Sequence, residues 1–175
     1  EEKMNRVIRE ISAVLGLPQP IKEECKYIVR ITGELPPCTE SEIIQTYLVA
    51  EPGTEVRLRR RSTNGNVVNI HTTRKRLSPT EELVTERQVT NALYESLLKQ
   101  ADPYRRSIMK RRRSFIYKGQ FFELDTYEGD LQGLVILETK GIACYADLKV
   151  PPFLNIVEDI TGRTDYYNAN LALRK

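Results

Sequence analysis

Thr54-Glu55-Val56-Arg57-Leu58-Arg59-Arg60-Arg61-Ser62 is the stretch on which the fold turns. Read as a strand, its side chains alternate, so Arg57, Arg59 and Arg61 share one face and Val56 and Leu58 the other. Charges withdrawn from water must be paired or solvated. Such a strand belongs either to a sheet whose charged side faces bulk solvent or to a wide, wet lumen lined with both signs. The same alternation recurs downstream. Lys110 and Arg112 share a face, as do Glu123 and Asp125, while Glu138 and Lys140 lie opposite Val135, Leu137 and Thr139. Periodicity alone leaves the two arrangements open.

Working outward, Glu51-Pro52-Gly53 makes a turn before this strand, and Asn64-Gly65 signals a hairpin into Asn66 to Arg74. Upstream, Lys22 to Arg30 alternates with Cys25, Tyr27 and Val29 on one face, and Glu42 to Val49 has strand composition. Leu83 to Val89 is a further strand. Thr90 is placed to cap a helix carrying Leu93, Tyr94, Leu97 and Leu98, which Asp102-Pro103 ends. Arg106 to Tyr117 and Gln120 to Tyr127 form a hairpin around Lys118-Gly119, and Gly133 to Lys140 is the last long strand. Pro151-Pro152 predicts the start of a short helix that Gly162 terminates. Residues 4–15, with Met4, Val7, Ile8, Ile11, Val14 and Leu15 at helical spacing, predict an amphipathic helix. The expectation is an α+β fold of about eight antiparallel strands closed into a barrel, with flanking helices. If the lumen is wet, helices 4–15 and 90–99 cover the apolar outer face.

The 175 residues suit one domain, and no apolar run is long enough to cross a bilayer as a helix. The chain starts at Glu1 with its first methionine at Met4, so a fragment or a processed product is expected, with residues 1–20 a helix and linker ahead of the barrel domain of residues 21–175. Cys25, Cys38 and Cys144 are widely spaced, which argues against a disulfide framework and a zinc site and points to a reducing, cytoplasmic setting. The single histidine, His71, argues against histidine-based chemistry. A net charge of +3 conceals basic clusters at Arg57–Arg61, Arg74–Arg76 and Arg105–Arg113, which suggest a polyanionic partner. Nucleic acid is disfavoured, because Tyr104, Phe115 and Tyr117 read as packing and not as a stacking platform.

The order of motifs resembles that of the CYTH, or triphosphate-tunnel, family. Lys22-Glu23-Glu24-Cys25-Lys26-Tyr27-Ile28-Val29 is similar to its opening ExExK strand, Gln45-Thr46-Tyr47-Leu48 to QxYL, and Arg57-Leu58-Arg59 to RxR. Thr73-Arg74-Lys75 resembles TxK, Glu86 with Val89 a later ExxI, Lys110-Arg111-Arg112 KxR, and Glu123-Leu124-Asp125 with Gly129 the following E-x-D strand. Gly133 to Glu138, Glu158-Asp159-Ile160-Thr161 and Tyr167-Asn168 resemble the closing elements, so the likeness runs from about residue 21 to 172 in one order. A narrower resemblance is to the TRPL-translocation-defect proteins. It rests on Leu15-Gly16-Leu17-Pro18, on Asp102-Pro103-Tyr104-Arg105-Arg106-Ser107-Ile108 and on Leu137-Glu138-Thr139. In those proteins the domain follows a P-loop NTPase domain, and no GxxxxGK[ST] occurs in this chain.

The resemblance implies a basic lumen that holds phosphate through Lys26, Arg57, Arg59, Lys75, Lys110 and Arg112, and this chain's own Lys22 and Lys140 are expected to add to that set. It implies Glu24, Glu86 and Glu138 as ligands for any divalent ion, magnesium or manganese, which catalytic members of the family use to hydrolyse triphosphates. The acidic set is depleted here: Lys22, Lys140 and Val84 stand where the family pattern has carboxylates. A lysine beside a divalent ion is repulsive by several kcal/mol even at an effective dielectric of ~20. The expected function is therefore a cofactor-free binding module for a phosphoinositide or nucleoside triphosphate, with a peripheral membrane role in membrane-protein or vesicle trafficking. The alternative is a metal-dependent triphosphatase.

Overall fold

The computed structural model describes residues 7, 11, 15–17, 19–20, 24–140 and 148–174. Its strands are β1 (Gln19–Pro20), β2 (Glu24–Ile31), β3 (Thr39–Leu48), β4 (Thr54–Thr63) and β5 (Asn66–Arg76), followed by β6 (Glu81–Val89), β7 (Ile108–Tyr117), β8 (Gln120–Tyr127), β9 (Val135–Lys140) and β10 (Leu154–Asp159). Helix α1 (Asn91–Leu97) lies between β6 and β7, and the short α2 (Asn168–Leu171) near the C-terminus. The strands form one antiparallel sheet in the order β1-β6-β5-β4-β3-β7-β8-β9-β2-β10. Apart from the two-residue β1 there are nine strands among the described residues, not eight. Among the described residues no hydrogen-bonded pairing joins the two edges, so the expected closed barrel is a strongly curled but open sheet. The curl is evident where Tyr47 of β3, Ile108 of β7, Tyr127 of β8, Ile136 of β9 and Ile28 of β2 converge in one cluster.

Both hairpin turns expected from sequence are present. Asn64 and Gly65 take φ of 50° and 78°, and Lys118 and Gly119 of 47° and 77°, the left-handed pairs that match the twist of a two-residue hairpin. The helix expected after Pro151-Pro152 is instead β10, which pairs with β2 through Leu154↔Ile31 and Ile156↔Val29. The backbone groups of β2 would otherwise lie unpaired at a sheet edge, and pairing them outweighs the weak local helix signal.

The outer face of the sheet is apolar over β2, β8 and β9 and beneath α1, and over β3 and β7 it carries the ion-paired Glu40, Glu42, Arg111 and Arg113; much of the inner face is charged. Outside β2, β7, β8 and β9, Cys25, Tyr27, Val29, Phe115, Phe122, Leu124 and Leu137 pack together with Leu154, under Leu35, Leu148 and Phe153. The Phe115 and Phe122 rings stack at 5.6 Å. Outside β3 to β6, Leu48, Leu58 and Val89 pack with Tyr94 of α1, and Thr90 Oγ1 caps that helix by accepting from the Leu93 amide. A helix thus covers this part of the outer face, as the wet-lumen arrangement requires. Of the helix expected over 4–15, Val7, Ile11 and Leu15 are exposed, and its other residues lie outside the described ones. Cys25 is disulfide-bonded, so the spacing argument against cysteine pairing does not hold there; Cys38 is a free, exposed thiol.

One end of the lumen is apolar. Ile160, Ala172 and the flanking Tyr166, Ala169 and Leu171 of the C-terminal segment pack on Tyr47, Ile108, Tyr127 and Ile136. Tyr127 donates its hydroxyl to Asn168 Oδ1 at 2.8 Å, and Arg106 donates to the Leu173 carbonyl, so the segment is tied to the sheet at both ends.

Candidate functional site

Cross-strand register brings the inward charges of β2, β7, β8 and β9 together. Arg112 pairs in register with Asp125, Glu123 with Glu138, Lys26 with Glu138, and Glu24 with Lys140. Asp125 is fully buried and accepts from Lys110 Nζ and, at 2.7 Å on each oxygen, from the Arg112 guanidinium. Arg112 also reaches Glu123 at 2.8 Å and Glu138 at 3.5 Å. Lys26 lies 3.5 Å from Glu24 and 3.4 Å from Glu138. Lys140 lies 3.3 Å from Glu24 and 4.0 Å from Glu123.

The electrostatics follow from this packing. Burial alone would raise the Asp125 carboxyl, but Lys110 and Arg112 against it hold it down at about 2. Burial pushes the Lys110 ammonium down, with Arg112 adding to the effect and Asp125 and Glu138 opposing it. The two shifts are compatible, because Asp125 is shared by two cations while Lys110 is cut off from water. Burial works against the Glu24 charge too, yet Lys140 and Lys26 keep its carboxyl below the usual range. For Lys26 burial is likewise outweighed, by Glu138 and Glu24, and its ammonium is raised.

The β4 side of the lumen is different. Arg57 has its nearest carboxylate, Glu86, at 4.0 Å, and Arg59 has no ion-pair partner among the described residues. The Nε atoms of both arginines are buried without a hydrogen-bond partner. Burial lowers the Arg59 pKa, and the neighbouring Arg57, Arg112 and Arg61 lower it further against the single opposing charge of Glu86. Arg61 donates to Ser41 Oγ at 3.0 Å. The stripe carries more positive charge than its surroundings neutralise, and guanidinium donors are suited to hydrogen-bond anionic oxygens.

Of the residues selected from sequence, Lys26, Lys110, Arg112, Lys140, Glu24 and Glu138 meet in one network, and Arg57, Arg59 and Glu86 share the same inward face. Lys22 lies outside the described residues. Lys75 does not join them: Thr72 and Arg74 take the inward positions of β5, and Lys75 is exposed on the opposite face. Arg74 instead approaches Glu82 at 3.5 Å. Lys110 is 3 % exposed at its side chain and committed to Asp125, so it backs the site from beneath. Glu123 and Asp125 belong to this network although the selection missed them. Their shared face was readable, but their engagement with Arg112 depends on register.

Magnesium and manganese prefer sets of free oxygen ligands. Both oxygens of Glu24, Asp125 and Glu138 lie against nitrogens of this chain, and Glu86 stands apart, accepting from Thr72 Oγ1. Among the described residues no group of three acidic, histidine or cysteine side chains is placed to hold a metal. The residues present do not fit such an ion.

The site is thus the inner face of a curled antiparallel sheet, with arginines on one wall and a floor of paired cations and carboxylates. No family model and no curated protein matches the chain. Solved structures do. The crystal structure of the inorganic triphosphatase NE1496 is 25% identical, with a TM-score of 0.66, over 90% of this chain and 97% of that one. A second crystal structure, of the hypothetical protein NE1496, is 26% identical, with a TM-score of 0.65, over 88% of this chain and 99% of that one. The likeness supports the tunnel fold that the motif order implied. It does not address the narrower resemblance to the translocation-defect proteins.

Proposed function

We propose that the lumen binds a triphosphate-class anion, with Arg57 and Arg59 as its principal ligands and Arg61 and Arg112 beside them. The observation that carries this reading is the pair of buried, unpartnered Nε atoms on β4, in a cluster whose cations outnumber the carboxylates within reach. Phosphate oxygens satisfy such donors by charge-assisted hydrogen bonds. A second reading, that the bound triphosphate is hydrolysed, is favoured by the likeness to an inorganic triphosphatase over most of both chains. It takes precedence over a trafficking role. Phosphoinositide or GTP binding, peripheral membrane association and an upstream NTPase domain rest on sequence resemblance alone.

The test is a melting-temperature panel combined with a phosphate-release assay, using sodium tripolyphosphate, GTP and phosphoinositide-bearing liposomes, each with chelator, magnesium or manganese. Stabilisation by tripolyphosphate supports the binding reading, and phosphate release supports hydrolysis. Response to the liposomes alone would replace both with the lipid reading.

A further inference from the structure

The inward carboxylates and cations form a closed circuit. Glu24 contacts Lys26, Lys26 contacts Glu138, Glu138 contacts Arg112, Arg112 contacts Glu123, Glu123 contacts Lys140, and Lys140 returns to Glu24. Each cationic side chain bridges carboxylates of two different strands. Lys26 links β2 to β9, Arg112 links β8 to β9, and Lys140 links β2 to β8. Bridging carboxylates from separate strands, so that their charges do not repel an incoming phosphate, is work that a divalent ion does in an oxygen-lined site. Here both oxygens of Glu24 and Glu138 and one oxygen of Glu123 are already engaged.

We infer that the Lys26–Arg112–Lys140 circuit replaces a divalent cation, so that a triphosphate-class anion binds in this lumen without metal. The inference rests on the reading of the lumen as a triphosphate site and adds its cation requirement. Lys140 is the link to break. Its side chain is 47 % exposed at the end of β9, whereas Lys26 and Arg112 are 16 % and 12 % exposed within the network. Replacing it does not open a cavity in the core. Lys140→Glu would set a new carboxylate beside Glu24 and Glu123 and create the oxygen set that this chain lacks.

The experiment is isothermal titration of the whole chain with sodium tripolyphosphate, once in chelator and once in magnesium. The unaltered protein is expected to bind in chelator, with no tightening by magnesium. Lys140→Glu is expected to lose about tenfold or more in chelator, since a charge reversal at contact distance exceeds 1.4 kcal/mol, and to recover with magnesium. Lys140→Gln removes the link without adding a ligand; it should weaken binding in chelator and gain nothing from metal. A melting curve for each variant establishes that it is folded. Binding of the unaltered chain only in magnesium would overturn the inference and leave the triphosphate site standing. Equal binding by all three proteins in chelator would overturn the role of Lys140. Absence of binding in both buffers would overturn the triphosphate reading itself, and this inference with it.

Discussion

Asp125 has no solvent exposure and holds two cations. Asp125→Asn keeps the shape but leaves Lys110 and Arg112 buried around a neutral group, and it should cost about 3–5 kcal/mol in chemical denaturation. The pH dependence has a definite sign. The folded carboxyl sits at about 2 and its ordinary value is 3.8, so its contribution is complete above the latter and lost as pH falls toward the former. Denaturation series between those values should therefore show a decline that Asp125→Asn lacks. Arg59 presents the opposite case. Its charge is half-buried among Arg57, Arg61 and Arg112 without an ion-pair partner among the described residues, so without ligand it opposes folding. Arg59→Met should raise stability by about 1 kcal/mol in phosphate-free, low-salt buffer, the trade of stability against function common at binding sites. Thermal melts with and without tripolyphosphate check it: the variant should melt higher than the parent alone and gain less from the ligand.

The β4–β5 hairpin is where an element's geometry rests on two residues. Gly65 has a φ of 78° and a Cβ there would meet no neighbouring atom, so Gly65→Ala isolates backbone strain from packing. It should cost about 1 kcal/mol in a melt and leave ligand affinity unchanged. This hairpin was legible in sequence because Asn-Gly states its turn chemistry locally, and the inward arginines of β4 were legible because strand alternation has a period of two. β10 was not. Its register shifts between Ile156 and Glu158, and that irregularity breaks the alternation by which a strand is recognised. Lys75 illustrates a related failure. The motif match Thr73-Arg74-Lys75 is correct in residue type, but a one-residue change of phase puts a side chain on the other face. Register across β7, β8 and β9, which gives Glu123 and Asp125 their partners, is a tertiary property that no single strand reveals.

At the scale of the whole molecule, the curled sheet sorts its residues into an apolar exterior under α1, an apolar end packed by the C-terminal segment and a charged middle. The division of charge within that middle is the functional statement. The floor from β2, β7, β8 and β9 is neutralised by its own carboxylates, whereas the β4 wall is not. An ionic contact set of this kind weakens as salt rises, because screening reaches the ligand's charges as it enters. The most direct test is calorimetric titration of the unaltered chain, Arg57→Met and Arg59→Met with sodium tripolyphosphate at two salt concentrations. The account predicts binding that falls with salt in the parent and drops by about tenfold or more in each variant, the loss expected for a charge-assisted phosphate contact. Binding that is indifferent to salt and retained in both variants would contradict it.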